Sequence, residues 1–181
     1  SPRFSMTKVL SVEYLMKRRF PAVFARLISY PLDLFLLCRY GLFSNSGYRF
    51  QVKTSFDEIF DEFNKKTINN YKIKGEINSD YLNWRFCQSP YEDYFIYTMT
   101  TKSENLLKAF IIYSKKDKRA TVADMAVASS DYSEADALFS SFHRFMKKEG
   151  VESISTDFAG DKDLMERLIK NGFSVRAKDL K

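Results

Sequence analysis

The residues able to do chemistry are few. Cys38 and Cys87 lie 49 positions apart with no Cys-x-x-Cys pair, and His143 is the only histidine. No spacing of His, Cys, Asp and Glu matches a zinc site. The two thiols therefore read as small buried hydrophobes in a reducing, cytoplasmic compartment. His143 stands beside the apolar stripe of a long helix, with no Ser or Cys at nucleophile spacing, and reads as a surface or boundary residue rather than a base. Trp84-Arg85 offers a ring able to stack on a sugar and a guanidinium able to clamp a carboxylate. The plainer alternative anchors Trp84 in the core and pairs Arg85. The aromatics from Tyr94 to Tyr97 would suit base stacking, but no Lys/Arg-Gly-Phe signature accompanies them.

The elements that must position these residues belong to an ordinary globular chain. Its 181 residues are 45% hydrophobic and 29% charged, which excludes wholesale disorder and makes a disulfide-stapled miniprotein unnecessary. The net charge of +6 is unevenly spread. Residues 1 to 49 carry eight Lys/Arg against Glu13 and Asp33, whereas residues 50 to 181 carry 21 basic and 21 acidic side chains. A body without excess positive charge has nothing with which to neutralise phosphates, so nucleic acid is a poor partner.

The basic arm, residues 1–47, opens Ser1-Pro2-Arg3 with neither an initiator Met nor a signal pattern, and reads as part of something longer. Val12 to Phe43 is rich in Leu, Phe and Tyr. Arg26, Asp33 and Arg39 interrupt it, and Pro21 and Pro31 break it, so it predicts short consecutive helices, the last from Pro31 to Tyr40, rather than a membrane span. Two roles compete for these helices. Lys17, Arg18 and Arg19 could face anionic lipid, or the apolar faces pack on a preceding domain; the ordinary use of such faces favours the second.

Residues 48 to 181 read as one α/β (α+β) domain. Tyr48 to Thr54 alternates as a strand, and Ser55 opens an amphipathic helix with Phe56, Ile59, Phe60 and Phe63 on one face. A second helix over Tyr81 to Phe86 ends at Ser89-Pro90. Strands at about 94–100, 106–114 and 120–128 form an antiparallel meander. Ser133 and Asp136 start the longest helix, with Leu138, Phe139, Phe142, Phe145 and Met146 as its stripe and Gly150 as its stop. A strand over 151–156, a helix over 162–171 stopped by Gly172, and a strand over 173–180 complete the order β-α-α-β-β-β-α-β-α-β. The strand-helix-strand crossover near the end makes the sheet mixed.

This order, with Val122-Ala123-Asp124-Met125-Ala126-Val127 leading into a helix and the closing Leu168-Ile169-Lys170-Asn171-Gly172-Phe173, resembles the GCN5-related N-acetyltransferase (GNAT) superfamily over residues 48 to 180. The Tyr81 to Phe86 phrase further resembles the C-terminal half of tandem GNAT-like proteins of bacterial polysaccharide synthesis. The resemblance implies a mainly antiparallel sheet flanked by helices. It also implies transfer of an acyl group from acetyl-CoA or another acyl-CoA to an amine, with an amino sugar as one candidate acceptor. The rival expectation is a non-catalytic half that binds substrate or supports an upstream GNAT-like half.

Site residues follow from the same resemblance. The family's fourth strand would pair the pantetheine arm through Met125, Ala126 and Val127, with Asp124 as general base. A loop of pattern Arg/Gln-x-x-Gly-x-Gly/Ala would wrap the pyrophosphate, where this chain has Ser130-Asp131-Tyr132-Ser133-Glu134-Ala135. Only Ala135 conforms. Ser130 replaces the cation and Ser133 the first glycine, and Asp131, Glu134 and Asp136 would repel a diphosphate while suiting a helix start. The loop reads better as a capped helix than as a cradle. Leu168 occupies the family's usual Tyr position, leaving Tyr132 or Tyr97 to act as acid. Asp124 has a structural alternative, tied to Arg85, Arg119 or backbone amides. Only eight residues follow Phe173, so one of the family's two closing strands is missing from this end. Either the sequence ends early or another chain supplies the strand, which would leave an edge open to dimerisation or strand exchange.

Overall fold

The computed structural model describes residues 4–11, 47–67, 78–158 and 162–178. Its elements are β1 (Phe4–Val9), β2 (Tyr48–Lys53), α1 (Glu58–Thr67), α2 (Ser79–Leu82), β3 (Tyr94–Thr101), β4 (Leu107–Lys116), β5 (Arg119–Val127), α3 (Ser133–Lys148), β6 (Ser153–Phe158), α4 (Lys162–Lys170) and β7 (Ser174–Lys178). From β2 onward this is the order that the periodicity predicts. The described residues form two compact units.

The first unit holds residues 47–67, 78–115 and 122–138, with strand order β2-β3-β4-β5. Tyr48 pairs with Thr101 and Tyr94 with Ser114, both antiparallel. Ala128 N–H donates to Lys108 C=O at 2.8 Å, which continues the meander into β5. One face of the sheet is covered by a phenylalanine cluster. Phe56, Phe60 and Phe63 meet Phe110 edge-on at centroid distances of 6.4, 5.2 and 5.4 Å, the geometry that the ring quadrupoles favour. Leu82, Phe86, Ile96, Leu107 and Ile112 complete this core, and Ala126 and Ala128 pack against it.

The predicted second helix is less regular than its pattern. The single turn α2 is capped by Asn78, whose side chain accepts Tyr81 N–H at 2.8 Å. It then widens into a π-helical turn, Asn83–Cys87, closed by Gln88 N–H on Asn83 C=O at 2.9 Å. Asn83 explains the widening. Its side chain accepts Phe56 N–H at 2.9 Å and donates to Phe56 C=O at 2.8 Å, pinning the turn to the entry of α1. Leu82 and Phe86 stay buried.

The second unit holds residues 4–11, 116–121, 139–158 and 162–178, with β5 followed by β6, β1 and β7. Glu152 N–H donates to Lys118 C=O, and Ser155 Oγ to Ala120 C=O. Both numbers rise together, so β6 runs parallel to β5 and the sheet is mixed as expected. Both helices of this unit end in the same way. Gly150 (φ +76°) and Gly172 (φ +89°) take the left-handed conformation. The amides of the residues after them, Val151 and Phe173, reach back to Met146 and Leu168 C=O at 3.0 Å.

Several sequence expectations are corrected here. Residues 4–9 of the predicted helical arm are a strand. β1 pairs antiparallel with β6 (Phe4 opposite Phe158) and with β7 (Thr7 opposite Ser174). The strand that lies between β6 and β7 thus comes from residues 4–9 of the same chain, not from another chain. The helices expected between Val12 and Phe43, and Cys38 with them, lie outside the described residues. Cys87 is exposed rather than buried. His143 is 4% exposed, a core residue rather than a surface one, between Phe139 and Phe173 at ring distances of 6.0 and 5.6 Å. Trp84 is no core anchor either, being 65% exposed.

His143 shares its burial with Lys8. Lys8 is 3% exposed, and its Nζ lies 2.8 Å from His143 Nδ1 and donates to Asn171 C=O at 2.6 Å. Burial lowers the Lys8 ammonium from 10.5 to about 7. Burial first, and the Lys8 charge second, hold His143 well below its ordinary value.

Candidate functional site

Apart from Tyr97, which is buried on β3, the residues that the resemblance nominates for chemistry fall in one stretch of the first unit: the second half of β5, the loop after it, and the first turn of α3. Along β5 buried and exposed residues alternate from Arg119 to Val122, and then the alternation breaks. Ala123 and Asp124 are both exposed, Met125 and Ala126 are half-buried, and Val127 is buried again. At the break, Asp124 Oδ1 accepts the N–H of its own neighbour, Met125, at 2.8 Å. This realises one of the structural alternatives for Asp124, a backbone amide partner. It also means that the proposed base caps one of the amides proposed to hold the donor.

The loop is closed on itself. Tyr132 N–H donates to Ser129 C=O at 3.2 Å, and Tyr132 takes a left-handed φ of +55°, rare for a bulky residue. Asp131 Oδ1 accepts Ser133 N–H at 3.1 Å, and Ala135 N–H donates to Tyr132 C=O at 3.0 Å. Ser133 Oγ donates to Ser129 Oγ at 3.3 Å and to Glu134 Oε2 at 3.4 Å, while Lys108 Nζ stands 3.9 Å from Glu134 Oε1. The Ser133 amide, ahead of its hydroxyl, holds the Asp131 carboxyl below the usual carboxylate range. Asp131 is thus an anion that sits where the family's loop would receive one. Of the site residues, Tyr132, Ser133 and Ala135 are brought together with Ser129 and Asp131, and Ser130 is exposed beside them. Asp136 is buried and carries no part of this loop's exposed face.

As they stand, these residues do not fit a diphosphate. The first helix amide is occupied by a carboxylate, Lys108 faces Glu134, and no glycine opens the backbone. The loop behaves as the capped helix start that its sequence predicts.

Trp84 and Arg85 lie on the π turn. Trp84 packs against Tyr81 at 5.9 Å between ring centroids, Arg85 donates from Nη1 to Tyr81 Oη at 3.2 Å, and its guanidinium lies 5.0 Å over the Phe86 ring. The Lys8–His143–Asn171 contact and the Ser129–Asp131–Ser133 loop bonds are the features that sequence reasoning missed. The first had no clear local signal, because a lysine stands between Met6 and Leu10 on a face that is buried in the fold. The described residues hold no cluster able to bind a metal and no helix long and apolar enough to cross a membrane.

A meander that leads through a broken strand and a loop into a helix, followed by a parallel strand, is the arrangement of the GNAT fold, and the comparisons agree. No family model and no curated protein matches the sequence. Solved structures do. A GCN5-related N-acetyltransferase from Anabaena variabilis superposes with a TM-score of 0.57 at 9% identity, over 99% of this chain and 39% of that one. A tandem GNAT protein from the clavulanic acid biosynthesis pathway gives 0.53 at 13% identity, over 98% and 51%. The C-terminal domain of a putative lysylphosphatidylglycerol synthetase from Agrobacterium fabrum gives 0.50 at 15%, over 93% and 51%. The chain has the GNAT fold and spans 39 to 60% of the length of the GNAT structures and of a similar Staphylococcus epidermidis protein.

Proposed function

We propose that the chain is one half of a tandem GNAT-type acyltransferase that moves an acyl group to an amine, with an amino sugar as the acceptor class. The observation that carries this reading is the break in β5 at Ala123–Asp124, which exposes a carboxylate on the strand that leads into α3. Asp124 would take the amine's proton once its bond to Met125 N–H is released, which frees that amide to face an acyl oxygen. Tyr132, held at the loop's turn, is the nearest candidate in sequence for an acid. The tandem arrangement is supported by the fraction of the two-GNAT structure that the chain spans.

A second reading, a half that binds or supports without catalysing, is favoured by a specific observation. Asp131 and Asp124 satisfy from within the chain the Ser133 and Met125 amides that a donor would need. Calorimetry with acetyl-CoA separates the two. Binding in the micromolar range or tighter supports acyl-CoA as donor and the transferase reading. Absence of heat at millimolar ligand, with circular dichroism showing a folded sample, overturns it in favour of the binding half.

A further inference from the structure

We propose that Trp84, Tyr81 and Arg85 form a carbohydrate-binding platform that receives the apolar face of a neutral hexopyranose ring. The inference needs no acyl donor and stands apart from the transfer reading.

Tryptophan is highly buried on average, yet Trp84 is 65% exposed. Its exposure is built in. Leu82 and Phe86 anchor the segment in the core, Asn83 holds both backbone groups of Phe56, and Asp61 accepts Ser79 N–H at 2.7 Å and Ser79 Oγ–H at 2.8 Å. The residues between those anchors, Trp84 and Arg85, are left outside. Tyr81 is tilted 42° against the indole and fixes the guanidinium through its hydroxyl. Rings and donor are thereby preorganised, which lowers the cost of ordering them on binding.

The charges around the platform select the ligand. Among the described residues Arg85 makes no ion pair. Both Arg85 and the Glu92 carboxylate act on Tyr94, so a cation and an anion share this rim, and Asp80 adjoins Tyr81 in sequence. Sugar hydroxyls both donate and accept, so a rim of mixed sign suits a neutral ring. The same carboxylates disfavour an anionic membrane or a nucleic acid, each of which needs an excess of cations.

Trp84 is the only tryptophan, so its fluorescence reports on this surface alone. The whole chain is titrated with glucose, N-acetylglucosamine and a chitin-type disaccharide, with sorbitol as a polyol without a ring. The expected result is a saturable emission change with the ring sugars, strongest for the disaccharide, and none with sorbitol. Trp84→Ala, followed by ligand-observed NMR, should weaken binding about tenfold, in line with the ~1.4 kcal/mol that one stacked ring supplies. Trp84→Phe should restore part of it. Circular dichroism checks that both variants are folded. A flat emission titration with every ring sugar overturns the proposal, as does equal binding by Trp84→Ala. Vesicle binding or concentration-dependent dimerisation abolished by Trp84→Ala, without sugar binding, also overturns it and assigns the patch to lipid or to a second copy. None of these outcomes bears on the calorimetry with acetyl-CoA.

Discussion

Replacing Lys8 with methionine should flatten the pH dependence of stability above neutrality. In the folded chain the Lys8 amine is buried, and its pKa falls from 10.5 to about 7. Between those values the unfolded chain holds a proton that the folded chain lacks, so stability rises with pH across that window. The full displacement corresponds to roughly 5 kcal/mol as an upper bound, and a rise of a few kcal/mol between pH 7 and 10 is the order of magnitude to expect. His143, also held low by burial, acts in the same direction at lower pH: stability falls as pH drops below 6.5 because only the unfolded imidazole charges. Methionine keeps the apolar stem, has nothing to titrate, and leaves Asn171 C=O without the Lys8 donor, at a cost of about 1 to 3 kcal/mol near neutrality. Urea unfolding followed by circular dichroism at half-unit pH intervals, on the wild type and Lys8→Met, measures both terms. Parallel stability curves for the two proteins between pH 7 and 10 would refute the assignment of a depressed ammonium to Lys8.

Three further outcomes follow from the geometry. Asp131→Asn replaces the anion on the Ser133 amide; if acyl-CoA is the donor, calorimetry should show its affinity rising about threefold to tenfold, whereas an unchanged affinity would separate the loop from the donor. Phe110→Ala removes the ring on which Phe56, Phe60 and Phe63 converge, and chemical denaturation should register a loss of about 3 to 5 kcal/mol. Gly150→Ala should cost about 1 kcal/mol purely through its φ of +76°, because a Cβ there meets no atom within 4 Å. A loss above 3 kcal/mol in the denaturation midpoint would show that packing is involved after all.

What the sequence disclosed depended on how local each signal was. The stripe Leu138, Phe139, Phe142 and Met146, the glycine stops at 150 and 172, and the meander strands are local patterns, and all appear where they are expected. β1 was illegible for the opposite reason. Its six residues mix Ser, Thr and Lys with Phe, Met and Val, and nothing nearby announces that partners wait about 150 residues downstream. Missing β1 hid Lys8, and without Lys8 a lone histidine beside an apolar stripe read as a surface residue. Trp84 was misplaced because helical periodicity does not foresee the π turn that Asn83 enforces. In the loop, the carboxylate that bonds a helix amide, Asp131, is one of the three acids that the sequence places near the helix start. The particular bonds, Asp131 to Ser133 and Asp124 to Met125, depend on side-chain geometry that spacing does not encode.

The seating of Phe4–Val9 between Ser153–Phe158 and Ser174–Lys178 also has a kinetic consequence. A loop of well over a hundred residues must close before either ladder can zip, whereas the meander joins strands a few residues apart. Such distant closure is the slow part of folding. Until it happens, both outer ribbons lack the central one that joins them and stay open to a wrong partner.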